Sequence, residues 1–184
     1  MYALKDYVGE EALNHALSEY VRAMAFQKPP YTDSLEFLDF VKKAVPPDRQ
    51  AILDDLFRNI TLYANKTTKA TWSKREDGRY VVRIEVEAAK YRADGKGKET
   101  PDALDDWIDI GVFGERDPKG PSEGRLLAME KRHVDSASAT FEMVVDQAPK
   151  KAGVDPFNKL IDRDPDDNLV TVVAGAPPER LAGN

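Results

Sequence analysis

The strongest constraint on this chain is a change in the period of its apolar residues near Thr67. Before that point they recur every three or four positions, and after it they alternate. Residues 10–25 place Leu13, Ala16, Leu17, Tyr20, Val21 and Met24 on one helical stripe, with Glu10, Glu11, Asn14, Ser18 and Arg22 between them. Gly9 breaks the pattern. In "MYALKDYV" before it, Ala3, Leu4, Tyr7 and Val8 already keep helical spacing with no cap ahead of them, so the chain reads as beginning mid-element. "QKPPYTDS" forces a turn. Asp33 and Glu36 form a capping-box pair for a helix carrying Leu35, Leu38, Val41 and Val45, which Pro46 and Pro47 end. A fourth helix is expected from Asp48 as its N-cap, with Ile52, Leu53, Leu56, Phe57 and Ile60 facing inward and Asp54 and Asp55 outward.

Beyond Thr67, "KATWSKRE", the turn pair Asp77-Gly78 and "RYVVRIEVEAAKY" predict a hairpin. Tyr80, Val82, Ile84, Val86 and Ala88 take one face; Arg79, Arg83, Glu85 and Glu87 take the other. "ADGKGKE" is a further turn, "DWIDIGVFGE" a third strand and "RDPKGPSEG" an exposed loop. "GRLLAMEKRHVD" and "SATFEMVVDQ" read as a second hairpin, and "NLVTVVAG" as the final strand. Short strands with turns between them and no interleaved helices predict an α+β chain: an N-terminal helical segment followed by an antiparallel β-sandwich. The expected organisation is a helical segment over 1–64, the sandwich over 65–175 and a flexible tail over 176–184.

Composition narrows the function. With 33 acids against 27 bases and a net charge of -6, the chain lacks the basic footprint that nucleic acid or an anionic lipid surface selects. The absence of cysteine removes disulfides, thiolate zinc sites and a cysteine nucleophile. No apolar run approaches the roughly 20 residues of a membrane span, so no direct membrane insertion is expected, and the first residues lack the features of a signal peptide.

Candidate chemistry is sparse. His15, with Glu19 one helical turn on, and His133, beside Lys131 and Arg132, lie in different halves. H-E-x-x-H, which sets two imidazoles on one helix face, is absent. Neither G-x-S-x-G nor S-x-x-K occurs, and the G-x-G of "DGKGKE" fits a hairpin turn rather than a phosphate loop. Asp162, Asp164 and Asp166 reproduce the opening of a calcium loop. The required glycine is then Asp167, and the bidentate glutamate falls on Val173. "AGVDPFNKLIDRDPDDN", residues 152–168, therefore reads as a structural corner. Its Asp and Asn side chains would cap backbone donors, and Val154, Phe157, Leu160 and Ile161 would anchor it.

The order of motifs resembles one family. "YALKDYVGEEALNHALSEYVRAMAFQKPPYTDSLEFLDFVKKAV" is similar to the helices that follow the active-site tyrosine region of aminopeptidase N-like zinc peptidases, the gluzincins. "KYRADGKGKETPDALDDWIDIGVFGE" and "AGVDPFNKLIDRDPDDN" resemble the C-terminal end of a bacterial subgroup fused to ABC-transporter permeases, and these are the more specific motifs. The resemblance runs from Tyr2 to about Val173. It implies a parent in which two histidines and a glutamate hold zinc, a further glutamate activates water, a tyrosine stabilises the oxyanion and acidic groups bind the peptide amino terminus. Those motifs would precede residue 1, and Tyr2 lies past the family's catalytic tyrosine. No catalytic, cofactor-binding or metal-binding residue is therefore carried onto this sequence. The resemblance implies a C-terminal fragment, inert alone and without a cofactor of its own, whose partners are the rest of the peptidase and its permease. It also implies an inner-membrane parent with this part in a soluble domain, the periplasm being one placement. Helices that had lost their packing partner would expose Leu4, Tyr7, Leu13 or Leu17 and favour self-association.

Overall fold

Helices form where the apolar stripe predicts them. A computed structural model describes residues 1–175, Asp48 by its backbone alone, so the expected tail over 176–184 and the capping role of Asp48 lie outside the described residues. α1 spans Tyr2–Val8, α2 Glu10–Met24 and α3 Ser34–Ala44. Gly9 separates the first two at φ 90°, a conformation that a side chain disfavours. Asp33 caps α3, its Oδ1 accepting the N–H groups of Leu35 and Glu36 at 2.9 and 3.0 Å.

The fourth helix differs from expectation. A 3₁₀ turn at Pro47–Arg49 leads into α4, Ala51–Leu53, which widens into a π turn over Asp54–Arg58. The Asn59 N–H closes that turn on the Asp54 carbonyl at 2.9 Å and Asn59 itself is extended. Ile60 consequently opens a strand and is exposed instead of facing a helical core. The core of the helices is Leu4, Tyr7, Leu13, Val41, Val45, Ile52 and Leu53, with Leu17 partly buried against it. The expected exposure of Leu4, Tyr7 and Leu13 is overturned, because these helices bury one another's stripes.

The chain divides into two compact units, Met1–Thr61 with Ala93–Lys98, and Leu62–Arg92 with Glu99 onward. The second holds two sheets. Its strands are β1 Ile60–Lys74, β2 Tyr80–Ala93, β3 Glu99–Asp102, β4 Asp106–Phe113, β5 Leu126–Val134, β6 Ser138–Val145, β7 Lys151–Val154, β8 Leu169–Thr171 and β9 Val173–Ala174. One sheet has the order β3-β2-β1-β9, with β6 also on β2; the other runs β5-β4-β7-β8. The fold is α+β, helices first and two packed sheets after, as the change of period predicts. No helix among the described residues is long and apolar enough to cross a membrane.

The β1–β2 hairpin closes by a three-residue loop, Arg75 and Arg79 pairing across it and Gly78 at φ 86°. The inward face of β2 is Val82, Ile84, Val86 and Ala88, as expected, and these residues pack with Ile108, Ile110, Val112 and Val154 of the facing sheet. Two expectations fail. β5 and β6 do not form a hairpin: β5 pairs with β4 from Asp106↔Val134 to Phe113↔Leu126, while β6 pairs with β2 from Tyr80↔Val145 to Glu87↔Ser138. The final strand is likewise split, β8 pairing antiparallel with β7 and β9 parallel with β1. The chain therefore changes sheet between β5 and β6 and again between β8 and β9.

Candidate functional site

The acid-rich segment 152–168 is assembled from the end of β7 and the connection to β8. After Val154, Asp155 takes φ 38°, a left-handed conformation that Asp tolerates, and turns the chain back over the outer face of β4. Its N–H donates to the Asp109 carbonyl at 2.8 Å. Its carboxylate accepts the N–H groups of Lys159 at 3.0 Å and Leu160 at 2.9 Å. Pro156 then lies over Gly111, where a Cβ would stand 3.0 Å from its ring, and Phe157 meets Phe113 edge to face at 5.9 Å. Leu160 and Val154 are buried as expected; Ile161 points outward, its backbone carbonyl instead accepting the Tyr63 N–H at 2.8 Å.

From there the acids serve β1. Asp162 accepts the Asn65 N–H at 3.1 Å through Oδ2 and the Asp164 N–H at 3.2 Å through Oδ1. Thr67 donates its hydroxyl to the Asn168 carbonyl at 2.6 Å and accepts the Val154 N–H at 3.1 Å, tying both sheets together. Gly153 lies beneath this knot: a Cβ there would come within 1.9 Å of the Asn168 oxygen. Burial pushes the Asp155 carboxyl up to about 6, against its two backbone hydrogen bonds and with the help of the Asp109 and Asp162 charges. Burial and the Asp164 charge also raise Asp167, with Lys66 opposing.

The structure does not bring the candidates from the sequence together. His15 Nε2 faces Glu19 at 3.4 Å on an exposed helix surface. His133, across from Trp107 in β5 and β4, faces Asp105 at 2.5 Å and also lies at the surface. Among the described residues no three His, Cys, Asp or Glu side chains group to hold a metal, and the Asp162, Asp164 and Asp166 spacing makes no such site.

Two charge networks escaped the sequence reading. Lys90 and Asp106, 7% and 6% exposed, meet at 3.0 Å, and the Tyr63 hydroxyl donates to the same carboxylate at 2.9 Å. Asp109 receives Lys131 at 3.0 Å and Lys159 at 2.5 Å. The signal for the first was present: Lys90 falls on the same alternation as Val82, Ile84, Val86 and Ala88, and Asp106 on that of Ile108 and Ile110. A cation and an anion on two inward faces have to meet, since either alone would be a buried charge. Chemically, these groups bind and orient backbone and one another. No protein-family model, curated protein or solved structure matches the chain.

Proposed function

We propose that this chain is the non-catalytic C-terminal portion of a zinc aminopeptidase-like protein joined to an ABC-transporter permease, packing beside the parent's peptide cleft and inert by itself. The observation that supports this reading is the use made of residues 152–168, one of the two stretches on which the resemblance is more specific. Asp155 and Asp162 bind backbone N–H groups, and Asp155 and Thr67 hold the segment across both sheets. That is the work of a structural corner. A zinc site needs imidazoles and a carboxylate converging on one ion, whereas His15 and His133 face Glu19 and Asp105 respectively. The parent's zinc would be held by residues outside this chain.

Reading the gene in frame upstream of codon 1 tests the parentage. An H-E-x-x-H with a downstream glutamate is expected, and a start site with neither would overturn it. Zinc analysis and aminoacyl-nitroanilide assays of the chain test its inertness, with neither stoichiometric metal nor turnover expected.

A second reading, a stand-alone β-sandwich binding module for a peptide or envelope partner, is favoured by β6. This eight-residue strand pairs only with β2 among the described residues and carries Glu142 as its one charge; Arg132 of β5 donates to the Glu142 carbonyl at 3.4 Å, and beyond that contact the outer edge is lightly defended against strand addition. A genuine start site upstream of codon 1 would favour this reading over the first.

A further inference from the structure

We infer that the tip of the α2–α3 hairpin is a peripheral docking surface for an anionic phospholipid bilayer, with Phe26 and Tyr31 entering the headgroup region and Arg22 and Lys28 meeting its charge. The inference is independent of the parentage proposed above, and it starts from Phe26. This residue sits at φ 60°, where glycine or asparagine is the undemanding choice, and its side chain is 102% exposed. Neither the backbone nor the core gains from a phenylalanine there. Tyr31 is 72% exposed, and Val21 and Leu35, in the adjoining turns of α2 and α3, are each 61% exposed, which gathers four large apolar side chains at one end of the helix pair.

The tip is held in shape. The Gln27 N–H donates to the Met24 carbonyl at 3.2 Å, the Thr32 N–H to Gln27 Oε1 at 3.2 Å, and the Tyr20 hydroxyl to Thr32 Oγ1 at 3.3 Å. Its charge selects the occupant. The chain carries 33 acidic residues, yet none falls between Glu19 and Asp33, where Arg22 and Lys28 are the charged groups. Of the two bounding acids, Glu19 faces His15 and Asp33 caps α3. An acid-free, aromatic and basic tip matches an anionic membrane interface, which accepts an apolar wedge without needing a complementary shape. The net charge of -6 opposes that attraction elsewhere on the chain, so the contact is local and weakens with salt.

Sedimentation of the full chain with vesicles of equimolar phosphatidylglycerol and phosphatidylcholine, at low and at physiological ionic strength, tests this. Binding is expected at low salt, weaker in salt and weaker on phosphatidylcholine alone. Lys28→Glu, which reverses a charge at the surface, should reduce partition about tenfold or more. Phe26→Asn should abolish most of it while raising Tm, because asparagine suits the backbone. The inference is overturned if the wild-type chain stays in solution at low salt, or if Phe26→Asn binds as well as wild type. It is equally overturned if light scattering shows a dimer that this substitution dissociates, which would make the tip a contact between copies of the chain.

Discussion

At the scale of single residues, Asp155 and Gly153 hold opposite kinds of constraint. Asp155 is 1% exposed and its carboxyl titrates near 6, above the ordinary 3.8, so the folded state favours its protonated form. Its contribution to stability is therefore full below about pH 4 and is lost as the pH rises through about 6, in total on the order of 3 kcal/mol. Asp155→Asn keeps a residue that tolerates positive φ and removes this titration. Urea unfolding at intervals from pH 4 to 7 should show wild type losing stability relative to the variant across that window. At Gly153 the constraint is space: an added methyl would press on the Asn168 carbonyl and the Thr67 hydroxyl, both fixed by the knot between sheets. Gly153→Ala should cost about 3 kcal/mol or more by the same unfolding assay, whereas Gly95→Ala, in open space, should cost little. The acids of 162–167 suggested an ion from their spacing. Their partners on β1 are the Asn65 amide for Asp162 and the Lys66 ammonium for Asp167, about 100 positions away, which spacing within the segment does not encode.

At the scale of elements, the buried pair of Lys90 and Asp106 links β2 to β4 through the space between the sheets. Lys90→Met would leave Asp106 buried without its ammonium, with the Tyr63 hydroxyl and the Asp105 N–H still donating to it, an expected cost of about 3–5 kcal/mol. The double variant Lys90→Met with Asp106→Leu should recover much of that loss, and a double-mutant cycle of urea midpoints measures the recovery. Element identity was legible wherever local pattern decides it: α2 and α3 from their stripes, β2 from alternation, the first hairpin from Asp77-Gly78. Partnership was legible only where a turn dictates it. The link Asp135-Ser136-Ala137 offers no glycine or asparagine for the positive φ of a tight hairpin, and the chain uses it to pass from one sheet to the other. The alternation of β5 and β6 is the same in either arrangement, so periodicity alone could not separate them. The fourth helix shows the converse limit. Its apolar spacing continues to Ile60, but the π turn ends the helix before that position.

At the scale of the whole molecule, the two units have unequal cores. Among the described residues, seven buried apolar side chains cluster among the helices against sixteen in the sandwich, so the helical unit has less to hold it. Leu4→Ala, at a fully buried position, should cost that unit about 2–5 kcal/mol. Hydrogen exchange followed by mass spectrometry should then show protection falling in α1 to α3 while β2 and β4 keep theirs; uniform loss across both units would overturn this expectation. Among the sandwich's contacts, those of residues 154–168 with β1 join positions 87 to 101 apart in the chain. Such pairings close slowly, because a long loop must be ordered before they form. During synthesis this fixes an order of events. Asn65 and Thr67 leave the ribosome long before Asp162 and Asn168 exist, and at about 5–20 residues per second the interval lasts several seconds. Throughout it β1 lacks the segment that accepts its Asn65 N–H and Thr67 hydroxyl, so the nascent sandwich stays open to non-native contacts until its last strands emerge.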